Sequence, residues 1–157
     1  MNYDIIIRPM KNEDIDQVCE IEKMCFSSPW SKNSFIDEIN SNICARYFVA
    51  DEGGKVLGYG GMWLIINEAH ITNIAVHPGY RRNHVGSNLL FSMMKAANDE
   101  LGINRMTLEV RKSNHSAQSM YHKFGFLVAG ERKKYYDDNE DACIMWCDDV
   151  TSVINKK

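Results

Sequence analysis

The chain has 157 residues, of which 45% are hydrophobic and 25% are charged. This balance is typical of a folded globular protein, and the length suits one domain, so we expect a single domain over residues 1–157. Eighteen Lys and Arg residues against 21 Asp and Glu residues give a net charge of −3, which disfavours a dedicated binder of nucleic acid. A mildly acidic surface can still attract a basic partner.

The cysteines and the N-terminal segment indicate the compartment. The five cysteines are odd in number and have no regular spacing, so we predict reduced thiols in an intracellular chain. The N-terminal segment carries only a short apolar run and early acids, unlike a signal peptide. The longest apolar stretch, residues 62–66, is far shorter than the ~20 residues of a membrane span. We therefore expect a cytoplasmic protein without a membrane partner.

Hydrophobic periodicity predicts alternating strands and helices along the chain. The first half contains, in order, strand 5–8, a helix that Asn12 caps, a helix that Ser31 caps, and a hairpin of strands 47–51 and 56–66. The second half contains, in order, strand 70–76, helix 85–101, strand 106–111, helix 116–124, and strands 126–129 and 142–146. Such strand–helix–strand units predict an α/β protein with a mixed sheet covered by helices.

The segment between strand 70–76 and helix 85–101 carries the clearest chemical signal. It reads HPGYRRNHVG, with Arg81 and Arg82 in the turn and Gly86 at the start of the helix. The first N–H groups of a helix lack internal partners and lie at its positive dipole end, so this turn favours a phosphate or pyrophosphate. An ordinary strand–helix connection with solvated arginines is the alternative. The chain contains neither a GxxxxGK(S/T) phosphate loop nor a GxGxxG dinucleotide fingerprint.

This segment resembles motif A of the GNAT family, the GCN5-related N-acetyltransferases, which is written Q/R-x-x-G-x-G/A after a strand. Arg81 matches the first position and Gly86 matches the last, whereas His84 replaces the usual first glycine. If that position needs a positive φ, a histidine there costs about 1 kcal/mol. Affinity for acyl-CoA is the property that this departure affects.

Further segments extend the resemblance over about residues 5–146. LEVRKSNHSAQSMYHKFGF, residues 108–126, is similar to the family's LEVR-x-x-N-x-x-A-x-x-LY-x-x-x-GF segment, with Met120 for the usual Leu. FSSPWS at 26–31 and the YY…EDA pattern at 135–142 resemble one branch, the RimI-type ribosomal-protein-alanine N-acetyltransferases. The resemblance implies the GNAT acyl-CoA N-acyltransferase fold, a mixed, mostly antiparallel sheet flanked by helices.

The resemblance also implies an activity. It indicates an N-acetyltransferase that uses acetyl-CoA as co-substrate, needs no metal, and acetylates the N-terminal alanine of a small-subunit ribosomal protein. The partner is then a basic ribosomal protein or peptide N-terminus, and we expect no direct contact with nucleic acid and a monomer or weak dimer. Two alternatives stay open: an acetyltransferase of broader specificity for N-termini or lysines, and a catalytically weak module that binds CoA for regulation.

Glu109 and Tyr121 are the candidate catalytic residues. An α-amino group with a pKa of ~7.7–8.0 is partly neutral at pH 7, so one carboxylate, acting directly or through water, suffices as its base. The resemblance assigns this role to Glu109, and a surface carboxylate paired with Arg111 or Lys112 is the alternative. It assigns to Tyr121 the role of acid toward the leaving thiolate, and a tyrosine packed in the core is the alternative.

Binding residues follow from the same resemblance. Backbone groups of strand 70–76 are expected to contact the thioester and pantetheine, the turn and helix start to contact the pyrophosphate, and an amide side chain to hold the CoA arm. These residues are Ile74, Ala75, Val76, Arg81, Arg82, Asn83, His84, Val85, Gly86, Ser87 and Asn114. The acceptor is expected between loops 26–31 and 135–141, lined by Trp30, Tyr135, Tyr136 and Glu140. Alternatively, these aromatic residues cap the core and the acidic loop is simply solvated.

The Cys and His residues do not indicate a metal site. Cys143 and Cys147 share one face of a predicted strand, but Cα atoms ~13 Å apart cannot hold one zinc ion. His70, His77 and His84 recur every seven residues, yet they fall in a strand, a turn and a helix start. We interpret this spacing as coincidence.

Overall fold

The computed structural model describes residues 4–156. Its strands are β1 (Ile5–Pro9), β2 (Ala45–Glu52), β3 (Lys55–Ile65), β4 (Glu68–Val76), β5 (Arg105–Arg111), β6 (Leu127–Arg132) and β7 (Ala142–Cys147). Its α-helices are α1 (Ile15–Cys25), α2 (Lys32–Asn40), α3 (Val85–Leu101), α4 (His115–Lys123) and α5 (Val150–Ile154), with 3-10 turns at Asn12–Asp14 and Pro78–Tyr80. Every predicted strand and helix is present, and α5 is additional.

The strands form one seven-stranded sheet in the order β1-β2-β3-β4-β5-β7-β6. β4 and β5 run parallel, whereas the pairs β1–β2, β2–β3, β5–β7 and β6–β7 are antiparallel. The ladder between β4 and β5 ends with His70 opposite Thr107. β5 pairs with β7 as far as Arg111, which lies opposite Ala142. The predicted mixed, mostly antiparallel sheet flanked by helices is confirmed.

The chain divides into two compact units. Of the described residues, 4–63 and 72–93 form the first unit, and 64–71 and 94–156 form the second unit. β3, β4 and α3 each contribute residues to both units. The assignment of residues 1–157 to a single domain stays a prediction.

In the first unit, α1 and α2 bury their apolar faces in one core cluster. Ile15, Val18 and Ile21 recur with helical spacing and are at most 2% exposed. Phe35 of α2 is fully buried in the same cluster. Burial of each such side chain contributes about 1.5–3 kcal/mol. This core therefore fixes both ends of the connection that carries residues 26–31.

The start of α1 differs from the prediction. Residues 12–14 form a 3-10 turn after Lys11, so the prediction that Asn12 caps the helix is wrong. The reason is Asp14, whose buried carboxylate accepts hydrogen bonds from the Lys11 N–H and the Arg8 guanidinium, each at 2.8 Å. The Arg8 guanidinium holds the pKa of Asp14 below its usual value. A paired acid thus organises this turn in place of a neutral cap.

In the second unit, the apolar residues of β5 are buried, and its charged residues are not. Met106, Leu108 and Val110 are at most 6% exposed, whereas Glu109 is only partly buried. β7 lies between β5 and β6, an order that strand periodicity does not reveal because pairing is a long-range property.

Within residues 4–156, no helix is both long and apolar enough to cross a membrane.

Candidate active site

The turn that follows β4 has the geometry of an anion site. α3 begins at Val85, and its first helical hydrogen bond joins the Asn88 N–H to the His84 carbonyl at 2.9 Å. The N–H groups of residues 85–87 therefore precede the hydrogen-bonded part of the helix and have no partner within it. Such groups lie at the positive end of the helix dipole and bind phosphate oxygens.

The same turn holds two residues in the left-handed region. Arg82 has φ 69° and His84 has φ 61°. His84 occupies the position where motif A usually has glycine, and this position does have a positive φ. A non-glycine residue there costs about 1 kcal/mol, although histidine adopts this region more readily than most residues. His84 therefore keeps the backbone path of the motif at a small cost in stability.

The arginines of the turn differ in their contacts. The Arg81 Nε donates to the Val76 carbonyl at 3.4 Å, and its Nη2 lies 3.4 Å from the Cys25 Sγ. The Cys25 thiol also reaches the Val76 carbonyl, at 3.4 Å. Arg82 is exposed and forms no ion pair with another described residue. Arg81 therefore ties the turn to the end of β4, while the Arg82 guanidinium is available to an anion.

The other residues predicted around this turn serve the fold as well. Val85 is 1% exposed and packs in a core cluster, so only its backbone can contact a ligand. Ala75 is also buried, and its carbonyl would lie 2.8 Å from a Cβ at Gly58. Ile74 packs against the same cluster as Val85. The Asn83 amide donates to the Tyr80 carbonyl at 3.3 Å, whereas Gly86 and Ser87 contribute backbone N–H groups.

The carboxylate of Glu109 is held from two sides in the second unit. Its Oε2 lies 2.8 Å from the His70 Nε2, and its Oε1 accepts from the Arg132 Nε at 3.1 Å. An ionised carboxylate only accepts hydrogen bonds, so the His70 Nε2 carries the proton. The Glu109 side chain is 10% exposed. This acid is therefore ionised, oriented and nearly buried.

These contacts set the charge of the carboxylate. The His70 hydrogen bond, together with Arg132, lowers the pKa of Glu109, and partial burial opposes this only in part. Glu109 is thus ionised throughout the neutral pH range. Each oxygen still has lone-pair capacity beyond its one hydrogen bond, so the carboxylate can accept a further donor. The alternative of a surface pair with Arg111 or Lys112 is not what the structure contains.

His70 is the functional candidate that sequence reasoning missed. His70 lies opposite Thr107 in the β4–β5 ladder. Thr107 precedes Glu109 by two residues along β5. The seven-residue spacing of the histidines, which we interpreted as coincidence, does not relate His70 to Glu109. The sequence contained one signal, because His70 and Glu109 are polar residues within two apolar strands. Only the register between β4 and β5 shows that the two side chains are neighbours.

Tyr121 is buried on α4, with 7% of its surface exposed. Its ring contacts Phe126 at a centroid distance of 5.7 Å. No hydrogen bond joins its hydroxyl to another of residues 4–156, and the hydroxyl oxygen is not sealed from solvent. Burial raises the pKa of Tyr121, so the phenol stays protonated. The side chain thus combines a fixed ring with an unused hydroxyl donor.

Asn114 acts as the N-cap of α4. Its Oδ1 accepts from the Ala117 N–H at 3.1 Å. This is the helix-cap interpretation of the residue, and it fixes the orientation of the side chain. The amide nitrogen stays available as a donor, so the predicted contact with the CoA arm is compatible with the cap and stays a prediction.

The loop before β7 is organised by Arg111. The guanidinium lies over the Tyr136 ring at 4.1 Å from its centroid and donates to the Glu140 carboxylate at 2.9 Å. Glu140 also accepts from the Ser113 N–H at 2.9 Å, and these partners lower its pKa. Tyr135 meets Tyr136 edge-on at 5.0 Å and is 48% exposed. Glu140 therefore anchors the loop, and the exposed aromatic surface belongs to Tyr135.

Trp30 is fixed in the first unit by a buried acid. Glu22 is 2% exposed, and its Oε2 accepts from the Trp30 N–H at 2.9 Å. The other oxygen of Glu22 accepts from the Tyr59 hydroxyl and, at 3.4 Å, from the Asn73 amide. The Trp30 ring packs against Phe35 at 5.4 Å. The loop that carries FSSPWS is therefore held in one conformation.

The predicted site residues are divided between the two units. Ile74 to Ser87 and Trp30 belong to the first unit, and Glu109, Asn114, Tyr121 and the 135–140 residues belong to the second. The structure joins Glu109 to His70 and Arg132, but no hydrogen bond joins Glu109 to Tyr121 among the described residues. Over residues 4–156, no three His, Cys, Asp or Glu side chains are arranged to hold a metal ion.

Comparison with known proteins places this arrangement in a family. The Acetyltransferase (GNAT) family profile matches residues 15–126. A Bacillus subtilis protein, named as a candidate ribosomal protein bS18-alanine N-acetyltransferase, is 47% identical over 141 residues, which cover 89% of this chain and 93% of that protein. An N-alpha-acetyltransferase of Sulfurisphaera tokodaii is 30% identical over 151 residues, covering 88% and 90% of the two chains.

A solved structure supports the same assignment. The crystal structure of the ribosomal-protein-S18-alanine N-acetyltransferase from Escherichia coli superposes with a TM-score of 0.82 at 31% identity. The match covers 91% of this chain and 92% of that chain. The fold similarity and the match to the family agree. The chain belongs to the GNAT family and is an N-acetyltransferase.

Proposed function

We propose that this N-acetyltransferase moves an acetyl group from acetyl-CoA to the N-terminal α-amine of an alanine in a small-subunit ribosomal protein. The observation that carries the proposal is the Glu109 carboxylate, which His70 and Arg132 keep ionised and oriented. A single weak base suits an α-amine, of which roughly a tenth is neutral at pH 7, better than a lysine near pKa 10.4.

The residues of the β4–α3 turn fit the anionic part of CoA. The N–H groups of residues 85–87 and the exposed Arg82 offer donors for a pyrophosphate, and Arg81 adds positive charge. When bound, acetyl-CoA supplies an activated thioester. By resemblance, backbone groups of residues 74–76 contact the thioester and pantetheine, and the Asn114 amide holds the CoA arm.

Glu109 takes the proton that the amine must lose. The amine nitrogen forms a bond to the acyl carbon as the carbon–sulfur bond breaks, and the N–H becomes far more acidic during this change. A carboxylate with a lowered pKa is therefore a sufficient acceptor, directly or through one water. His70 and Arg132 donate to Glu109 and act as positioning residues.

Tyr121 serves the leaving thiolate. Its hydroxyl has no hydrogen-bond partner among residues 4–156, so it is free to donate to a sulfur anion. Complete proton transfer from a phenol with a raised pKa to a thiolate, whose conjugate acid lies nearer 8.5, is uphill. The hydroxyl therefore stabilises the thiolate mainly as a hydrogen-bond donor, and solvent completes the protonation.

The names of the relatives support the choice of acceptor. The Bacillus subtilis and Escherichia coli proteins are both named for the alanine of ribosomal protein bS18. The Sulfurisphaera tokodaii relative is named only as an N-alpha-acetyltransferase, which favours broader N-terminal specificity as the second candidate. A regulatory CoA-binding module is disfavoured because it has no use for an ionised Glu109 or an unpartnered Tyr121 hydroxyl.

Release of the CoA thiol with two matched peptides tests the proposal. One peptide carries the ribosomal protein's N-terminal alanine with a free α-amine, and the other has that amine blocked and its lysines free. We expect turnover with the first peptide only. Turnover with the blocked peptide alone would assign a lysine acetyltransferase, and CoA binding without turnover of either peptide would favour a binding module.

A further inference from the structure

A cavity of about 450 Å³ in the first unit has no role in the chemistry described above. Its walls include the side chains of Trp30, Trp63, Asp37 and Glu38. We call it the tryptophan cavity. Its lining contains two aromatic side chains and two acids, and no Lys or Arg side chain.

Glu38 presents a fixed, uncompensated charge to this cavity. Its Oε1 accepts from the Trp63 indole N–H at 2.8 Å and from the Tyr47 hydroxyl at 3.1 Å. Its Oε2 accepts from the Asn42 amide at 2.6 Å. All three donors are neutral, so they orient the carboxylate without cancelling its charge.

Asp37 adds a second charge that no cation of residues 4–156 pairs with. It is exposed on α2 beside Glu38. The lysine nearest to it in the sequence, Lys32, is bound instead to Asp16 at 2.8 Å. Two neighbouring carboxylates without a counter-ion attract a cation more strongly than either acid alone.

The tryptophans make the cavity selective for one kind of cation. Trp30 is held by its packing on Phe35 and by the Glu22 contact to its N–H, and Trp63 is held by Glu38. Indole faces attract Lys and Arg groups, and Trp does so best among the aromatic side chains. A guanidinium also stacks flat on an indole and donates to two carboxylates at once, which an ammonium does less well.

We propose that the tryptophan cavity binds a cationic side chain, preferably arginine, within the first few residues of the acceptor. The inference rests on the proposed function, since it identifies the occupant as part of the acceptor polypeptide. Trp30 belongs to the loop assigned to the acceptor by resemblance. Glu140, which is expected to line the acceptor, is already bonded to Arg111 and Ser113, whereas Asp37 and Glu38 have no cationic partner among residues 4–156.

Acceptor peptides that carry one arginine at different positions test the proposal. Peptides of equal length begin with a free alanine and carry a single arginine at the second, third or fourth residue, or the neutral isostere citrulline at the same place. For at least one placement we expect kcat/KM to be about tenfold higher with arginine, mainly through KM. In Asp37→Asn the preference should fall by about threefold, and in Trp63→Leu it should fall further.

The control variant is Asp99→Asn, which makes the same charge change at an acid paired with Lys95 on α3. Its arginine preference should equal that of the wild type. An arginine preference that Asp37→Asn and Trp63→Leu leave intact would overturn the inference, as would equal rates with arginine and citrulline at every position. If no α-amine peptide is acetylated at all, the proposed function itself fails, which is a different result.

A second arm distinguishes a peptide cation from a free polyamine. Spermidine is offered as the sole acceptor, and then as a competitor of the arginine peptide. We expect no acetylation of spermidine and weak competition that raises KM only. Acetylation of spermidine that Asp37→Asn lowers, with no change in the peptide preference, would assign the cavity to a polyamine and contradict the proposal.

Discussion

The Nε2 of His70 lies 2.8 Å from the Oε2 of Glu109, across two parallel strands whose ladder ends at His70. Thr107 lies opposite His70 at the end of this ladder. Glu109 is therefore the second residue of β5 beyond the ladder. This contact helps to orient the Glu109 carboxylate and to keep it ionised.

Replacing Glu109 tests its role as base. Glu109→Gln keeps the shape of the side chain but removes the proton acceptor, so kcat should fall by about 10²–10³, with acetyl-CoA affinity nearly unchanged. Stopped-assay thiol release gives kcat, and calorimetric titration gives affinity. Glu131→Gln, a surface acid bound to Lys112 and Lys133, is the matched control. Unchanged kcat in Glu109→Gln would remove Glu109 from this role.

The pH dependence of His70→Ala separates positioning from packing. His70 is the largest cause of the lowered pKa of Glu109, so its removal should raise that pKa and move the acidic limb of kcat/KM to higher pH. In the wild type the carboxylate stays ionised down to below the usual carboxyl pKa of about 4.3. Activity above that pH should instead rise with deprotonation of the acceptor α-amine, near pKa 8.

The lowered pKa of Glu109 also determines how the stability of the fold changes with pH. Because the folded-state pKa of Glu109 is lowered, its contacts stabilise the fold above the unfolded carboxyl pKa, and this contribution disappears as the pH falls through the folded value. Arg132→Gln should move the acidic limb in the same direction as His70→Ala, by a smaller amount. An acidic limb that neither variant moves would show that these residues do not act through Glu109.

Tyr121→Phe tests the unpartnered hydroxyl. Because that hydroxyl has no hydrogen bond to residues 4–156, the free energy of unfolding should change by less than about 0.5 kcal/mol. The rate at saturating acetyl-CoA should nevertheless fall by roughly ten- to a hundredfold, since a donor to the thiolate is lost. Chemical denaturation and initial-rate kinetics measure the two effects. An unaffected rate would leave Tyr121 with a packing role alone.

His84→Gly tests the departure from motif A. Glycine relieves the positive φ of 61° but adds freedom to the unfolded chain, so the free energy of unfolding should rise by roughly 0.5 kcal/mol or stay constant. CoA binding should be preserved or tighter, as calorimetry can measure. Lys134→Gly, at another positive φ of 52°, is the control without an effect on CoA. A collapse of CoA binding in His84→Gly would make the histidine a ligand contact.

Local signals in the sequence predicted local structure well. The 3.6-residue period placed α3 at its observed bounds, and Ser31 caps α2 through the Ser34 N–H as expected. The short α5 escaped notice because five residues show little periodicity, although Asp149 caps it by accepting from the Ser152 N–H. Asn12 failed as a cap because a charged side chain from a neighbouring segment stabilised Asp14 instead.

Long-range relationships were beyond reach of the same reasoning. The insertion of β7 between β5 and β6 depends on pairing between segments that are distant in sequence. The contact of His70 with Glu109 depends on the register of two strands, and the engagement of Glu140 depends on Arg111 on a different element. The resemblance indicated Glu109, but only the three-dimensional structure shows that His70 and Arg132 keep it ionised.

The central claim is that the acetyl group is placed on an α-nitrogen. The most direct measurement uses one peptide that carries both a free N-terminal alanine and a free lysine, incubated with acetyl-CoA and enzyme. Fragmentation mass spectrometry then locates the added acetyl group. The account predicts acetylation of the alanine nitrogen, lost in Glu109→Gln. Acetylation of the lysine side chain with a free N-terminus would contradict it.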